Sequence, residues 1–419
     1  MVDEANCGFP NEMKKALIFA PTPYGGLAEH VFYQARALHK LEMEVTCLTT
    51  KTFLPGREGG FKIHRCLFDM PQSRLPKIFR RPAQLFSLVV NELLLAWRIL
   101  WFRPNFVLLE TYAEYLSPFW IWPHLFLAKR LGVCYAANLH DPVRKGLIGP
   151  TWWHDLSVRL AYRPLKVALV HGPIKPEAKV PAWVKVVEVP VGLYDITPAN
   201  ISRAKIRQRW GAHEKHKVFL SFGFVRDGKN LDLAVRALKE VPDAFLVIAG
   251  SVAAASDRPF AFYRQLAIEL QVAERCFLTE GFVSDDELGA LFDGTDFVLL
   301  TYSGLFHSQS GVLNIAARAR KPVLASSAPG PLVDAVHRFE LGTVIEPDSY
   351  GAVVEGMRAL TNWAFQPGWD EYEKYAGWET NVRKLLDGVR EFASEDSFVT
   401  TKDCKGGPRP VTVNRLEKS

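Results

Sequence analysis

The pattern that most limits the fold is an alternation of short apolar runs with helical segments, repeated in both halves of the chain. In the first half ALIFA (16–20), EVTCLT (44–49), FVLLE (106–110) and VCYAANL (133–139) read as buried strands, and 166–171 and 184–189 add two more. A helix at 28–41 and an aromatic-rich helix ending near Leu131 lie between them. In the second half strands are predicted at 218–222, 244–249, 276–279, 296–301, 322–325 and 342–345, again separated by helices. Such alternation implies parallel strands joined by right-handed crossovers. At 419 residues the chain exceeds one ordinary core. The expected fold class is therefore α/β, with two Rossmann-like, doubly wound parallel-sheet domains facing a central cleft. Ligands of such sheets bind beyond the carboxyl ends of the strands.

The pattern breaks between Tyr194 and His216, where DITPAN has turn chemistry and a basic helix, 201–210, leads to the next strand. The expected division is a first domain over 1–195, a connection over 196–213 and a second domain over 214–360. Helices over 361–392 are placed to pack back on the first domain, and 393–419, without hydrophobic period, is expected to be a mobile tail.

Composition narrows the function. Apolar content of 48% against 23% charge is globular. The six cysteines are scattered with no CxxC, which argues against a zinc site or a disulfide framework and fits a reducing compartment. The polar start MVDEANCGFPNEMKK lacks a leader pattern, so a cytoplasmic location is expected. A net charge of +6 is too mild to imply nucleic acid as a partner. Residues 74–103 nevertheless hold six Lys/Arg against one Glu around an apolar stretch. Asn91, Glu92 and Arg98 interrupt that stretch, which argues against a transmembrane span. It reads either as a buried amphipathic helix or as peripheral membrane contact, with Phe86, Trp97 and Trp101 in the interface of the cell membrane's inner face.

Four strand-to-helix corners carry candidate chemistry. PYGGLAEH (23–30) sets Gly25 and Gly26 before a helix, the geometry that lets backbone approach a phosphate, although GxGxxG is absent. LHDP (139–142) puts His140 and Asp141 at a strand's carboxyl end, as a ligand-binding pair or as plain loop residues. FGFVRDGKN (222–230) combines Gly223 and Gly228 with Arg226 and Lys229, two cations suited to a diphosphate. SQSG (308–311) opens a helix whose free N–H groups suit an anion, with capping by Ser308 or Ser310 as the plain alternative.

Taken together these stretches resemble the retaining glycosyltransferases of family 4, which have the two-domain GT-B fold. GFVRDGKNLDLAVRAL, TEGFVSDDELGALFDGTDFVLLTY, ARKPVLASSAPGPLVDAV and VPVGLYD carry the resemblance, in the family's order. It implies a sugar moved from a nucleotide diphosphate sugar to a hydroxyl acceptor with retention of configuration. The first domain would bind the acceptor and the second the donor, without cofactor or metal. Arg226 and Lys229 would hold the donor diphosphate, and His140 would lie near the transferred sugar. Gly25 and Gly26 would let the first loop approach the donor phosphates or the acceptor, and Gly223 would let backbone approach the donor. Gly281, Phe282 and Val283 would line the base pocket, and Ser310 and Gly311 would offer N–H groups. A glycan or lipid-linked acceptor is the expected partner. The family's two glutamates fall on His307 and Ile315, so His307 is left as the donor-sugar contact. An inactive nucleotide-sugar-binding scaffold or a GT-B epimerase are the competing expectations.

Overall fold

The computed structural model describes residues 14–23, 25–69, 76–111, 114–140, 149–174, 178–362 and 366–403. Among them, the first sheet has strands β1 (Lys15–Ala20), β2 (Glu44–Thr50), β3 (Lys62–Leu67), β4 (Phe106–Leu109), β5 (Cys134–Asn138), β6 (Leu165–Val170) and β7 (Lys185–Glu188). The second has β8 (Lys217–Phe222), β9 (Ala244–Gly250), β10 (Cys276–Glu280), β11 (Phe297–Thr301), β12 (Val323–Ser326) and β13 (Gly342–Val344). Every pairing within both sheets is parallel. Central strands such as β1 and β9 are buried along nearly their whole length, because helices cover both faces.

The strand orders are β3-β2-β1-β4-β5-β6-β7 and β10-β9-β8-β11-β12-β13. In each sheet the chain winds outward from its first strand, then returns to that strand's other side. The order therefore reverses between β1 and β4 and again between β8 and β11. At these switch points neighbouring crossovers leave in opposite directions and open a crevice, so the site belongs there.

Helices α1 (Gly26–Lys40), α2 (Lys77–Phe102), α3 (Ser117–Leu131) and α4 (Thr151–Ala161) belong to the first sheet, and α5 (Arg203–Trp210) precedes the second. Around the second sheet lie α6 (Leu231–Ala237), α7 (Phe260–Glu269), α8 (Asp285–Gly294), α9 (Gly311–Arg318), α10 (Pro331–Arg338) and α11 (Tyr350–Thr361). Local chemistry sets the starts: Ser284 accepts from the Glu287 N–H while the Glu287 carboxylate accepts from the Ser284 N–H, a capping box that begins α8. The chain closes with α12 (Trp369–Tyr375) and α13 (Trp378–Asp403). Trp378, Val382, Leu385, Leu386 and Val389, on one face of α13, are buried in the core of the first sheet.

Three features differ from the sequence reading. β3 was not predicted, since KIHRCL is a half-exposed edge strand with no apolar run. The short α12 lies within the span 361–392 given to closing helices but was not read as a helix of its own. The tail predicted from 393 is helical to Asp403: the apolar stripe of α13 ends before the backbone hydrogen-bond ladder does. Residues 404–419, with the remainder of that tail, lie outside the described residues.

Candidate functional site at the two switch points

At the β8/β11 switch the chain turns on Gly223, whose φ of +89° is in the left-handed region that glycine enters at no steric cost. A side chain on Gly250 would collide with the Gly223 carbonyl, so β9 approaches the turn as closely as backbone allows. The following short turn, Asp227–Lys229, sends the Lys229 ammonium back under the corner. Its Nζ donates to the Phe222 carbonyl at 2.6 Å and lies 6.0 Å from the centre of the Tyr302 ring. Lys229 is buried, and burial, with the nearby Arg226 charge, pushes its pKa down to about 7. Two bonds pin the corner to the end of β11: Thr301 Oγ1 donates to the Lys229 carbonyl at 2.9 Å and the Ser303 N–H to that of Gly228 at 2.8 Å. Arg226 is exposed, its guanidinium 5.6 Å from the Phe224 ring centre. The sequence set these cations side by side; the fold puts one inside and one outside.

At the start of α9, Ser310 makes no side-chain cap, because its hydroxyl pairs with the Tyr302 hydroxyl at 2.9 Å. Gly311 and His307 are exposed. Ile315 packs against the second domain's core, and Asn314 is fully engaged: it donates to the Val191 carbonyl at 3.0 Å and accepts from the Tyr372 hydroxyl at 2.5 Å. No carboxylate stands at either position where the family resemblance expected one. Gly281 follows β10 with open space about its Cα, Phe282 is 86% exposed, and Val283 turns into the core.

At the β1/β4 switch, Gly25 (φ +83°) precedes α1, and a side chain on Gly25 or Gly26 would meet nothing within 4 Å. Below this loop is a cluster that sequence reasoning found only through His140. Glu110, one residue beyond β4, is completely buried. It receives His140 Nε2 at 2.9 Å, His30 Nδ1 at 3.2 Å and the Asn138 amide at 2.6 Å. Burial opposes its ionisation, but the His30 and His140 charges and hydrogen bonds outweigh that and hold it well below the usual carboxylate range. His171, one residue beyond β6, is pushed down to about 3 by burial and by His30 and His140.

These constraints fix where the hydrogens sit. The Val189 carbonyl, 3.1 Å from His171 Nδ1, can only accept, so that nitrogen carries hydrogen. A neutral His171 then presents a bare Nε2 to His140 Nδ1 at 3.2 Å, and His140 must donate there. On the ring's other side His140 Nε2 lies 2.9 Å from the Glu110 carboxylate, so the ring is fixed between two partners. His30, Glu110 and His140 have the ligand types of a divalent metal site, their ligating atoms within 4.8 Å of one another. In the arrangement present the carboxylate is met by three donors. Asp141 lies outside the described residues. Glu110, His140 and His171 lie just past strand ends, a signal that could have found them, whereas Asn138 ends β5 and His30 lies in the second turn of α1.

The two switch points are joined mechanically. Asn138 donates to Gln34 at 3.0 Å, Gln34 to Asn381 of α13 at 2.9 Å, and Asn381 to the Pro190 carbonyl at 2.9 Å. The adjacent Val191 N–H donates to Gln309 at 2.7 Å, beside its contact with Asn314. Segment 190–193 thus carries the buried network of the first domain to the α9 loop of the second.

Known proteins are similar to this chain in part of its sequence and in its fold. Residues 202–381 match the family described as glycosyl transferases group 1. That domain contains the Lys229 corner and the α9 loop. A D-inositol 3-phosphate glycosyltransferase of Mycobacterium marinum (strain ATCC BAA-535 / M) is 28% identical over 182 residues, 42% of this chain and 37% of the relative. The chain thus matches well under half the length of that relative. A sucrose-phosphate synthase from Thermosynechococcus elongatus superposes with a TM-score of 0.65 at 16% identity, covering 91% of this chain and all of the other. Anabaena HepE in complex with UDP-glucose superposes at 0.57 with 15% identity, over 91% and 99% of the two chains. With both sheets and their strand orders described, the fold is GT-B.

Proposed function

We propose that the protein is a retaining glycosyltransferase of the family 4 type, moving a sugar from a nucleoside diphosphate sugar to a hydroxyl acceptor in glycan or lipid-linked glycan synthesis at the cytoplasmic side. The observation that carries this reading is the buried Lys229 ammonium at the β8/β11 switch point, beside Arg226 and the uncapped start of α9. A lysine poised near neutrality gains most from a dianion, which restores its full charge where the leaving group develops charge. The match of 202–381 to a glycosyltransferase family and the UDP-glucose complex of a GT-B neighbour support a nucleotide-sugar donor.

In this mechanism the sugar C1–O bond to the β-phosphate breaks through an oxocarbenium-like state. The acceptor oxygen bonds to C1 on the same face and passes its proton to the departing phosphate oxygen. The products are the glycoside and the nucleoside diphosphate. Lys229 and Arg226 stabilise the leaving phosphate in place of a metal. His140, held by Glu110 and His171, meets a sugar hydroxyl, and Gly25 and Gly26 let backbone approach the donor. Phe282 at the mouth covers the base.

The half-buried Ile315 and the exposed His307, where acids are expected, favour one second reading: a nucleotide-sugar-binding scaffold. Thermal shift with UDP, GDP and ADP, followed by turnover with matching donors, separates the two. Binding with transfer or donor hydrolysis supports the enzyme. Binding without turnover of any donor supports the scaffold, and no nucleotide binding removes both.

A further inference from the structure

Helix α2 is built inside out for a helix on a water-soluble surface. Its polar residues face the domain: Asn91 exchanges two hydrogen bonds with the Phe68 backbone at 2.8 and 2.9 Å, Glu92 meets His124 at 3.2 Å, and Arg98 meets His64 at 2.6 Å. Its outward face is apolar. Phe79, Phe86, Leu93, Trp97, Leu100 and Trp101 are all exposed, Trp101 by 73%. At 100° per residue they occupy an arc of about 100°. Stretch Ile78–Phe102 is long and apolar enough to cross a bilayer, but spanning would put Glu92 and Arg98 in hydrocarbon and strip their partners.

The neighbouring helix repeats the pattern. Phe119, Trp122 and Phe126 of α3 are exposed at helical spacing, and the stripe ends in Lys129 and Arg130, also exposed. Helices α2 and α3 pack together, and α3 packs on α4, where Trp152 is exposed too. Three adjacent helices thus present aromatic side chains on the first domain, an area no isolated surface residue explains.

Charge selects the occupant. The only acid among the described side chains of α2 and α3 is Glu92, which is buried; the exposed charges of these two helices, including Arg81, Lys129 and Arg130, are positive, and on α4 the exposed Asp155 is paired with Lys179 at 3.4 Å. A second copy docking face to face would set cation against cation. Anionic head groups would complement them while tryptophans entered the interfacial layer. We propose that the α2–α3–α4 face lies on an anionic bilayer, with α2 in the interface plane.

Flotation of the full chain with vesicles of phosphatidylcholine, with and without about 30 mol% phosphatidylglycerol, tests this. Recovery is expected with the anionic vesicles and should fall as salt is raised. Trp97→Ser/Trp101→Ser should lower the partition coefficient at least about tenfold. Lys129→Glu/Arg130→Glu should lower it by more than about fivefold per charge. Brominated lipid should quench tryptophan emission of the parent more than that of the double tryptophan variant. Unchanged thermal midpoint and nucleotide-induced shift certify that each variant is folded. Absence of flotation overturns the proposal. So does a dimer, by sedimentation, that dissociates in the tryptophan variant while neither protein binds vesicles, because a second copy then covers the face.

Discussion

The two domains solve the same topological problem with opposite materials. Both place their groups at a strand-order reversal, and both turn there on a left-handed glycine, Gly25 at +83° and Gly223 at +89°. In the second domain the site comes from two contiguous stretches, Phe222–Asn230 and Thr301–Gly311. In the first it comes from His30, Glu110, Asn138, His140 and His171, contributed by separate elements. The second is a corner with one buried and one exposed cation; the first is a buried polar network in which His30 Nε2 and Asn138 Oδ1 are left without a partner while the other contacts are made among its own members. A ligand is therefore expected to change ionisation in the second domain, whereas mutation is expected to change stability in the first.

Glu110→Ala should have the largest effect. It strips His30 Nδ1 and His140 Nε2 of their carboxylate partner, while Asn138 keeps Gln34 as acceptor, and removing one partner of a buried charged pair costs about 3–5 kcal/mol. Urea denaturation should show that loss. A loss below about 1 kcal/mol would mean water replaces the carboxylate freely. Next is Lys229→Ala, which removes a buried charge with no fixed carboxylate partner. Folding should be unharmed or improved, while turnover falls by roughly 2–4 kcal/mol of transition-state stabilisation, as for loss of one oxyanion donor. Loss of stability without loss of turnover would reverse the contrast between the domains.

The same lysine sets a pH dependence. Its folded pKa is near 7 and its ordinary value 10.5. Between these the unfolded chain binds more protons than the native one, so stability of the free protein rises with pH across that window and the full penalty applies below it. UDP should recharge Lys229, so affinity should fall by about tenfold per pH unit above 7, with nearly one proton taken up per UDP bound. Calorimetry in buffers of different ionisation enthalpy measures that uptake. A value near zero at pH 8 would mean the diphosphate does not reach the ammonium.

These differences explain what could be seen in advance. Alternating strands and helices gave both sheets, because central parallel strands are continuous apolar runs. The edge strand β3 escaped, since KIHRCL buries little. The Lys229 corner was visible because its glycines and cations are adjacent in sequence. Its division into an inner and an outer cation was not, because that depends on how β11 closes over the turn. The cluster around Glu110 was hidden for a stronger reason. His30 and His171 acquire meaning only when β1, β4, β5 and β6 lie side by side, a long-range arrangement that no local spacing encodes.

The two glycines allow the finest comparison. Alanine at either position is held at positive φ, at a cost of about 1–3 kcal/mol, and Gly25, with ψ of −170°, lies in a region almost reserved for glycine, so both Gly25→Ala and Gly223→Ala should destabilise. Their surroundings differ. A methyl at Gly25 meets nothing within 4 Å, whereas one at Gly223 would lie 3.8 Å from Val312 Cγ2 and 3.9 Å from Lys229 Nζ. Ordinary contact there excludes water from the ammonium, which deepens the desolvation that already lowers its pKa. Gly223→Ala should therefore move the midpoint of pH-dependent UDP binding below that of the parent, and Gly25→Ala should leave it in place. Equal midpoints in all three proteins would show that Lys229 is not the group titrating, and the chemical asymmetry between the two turns would then have to rest on another residue.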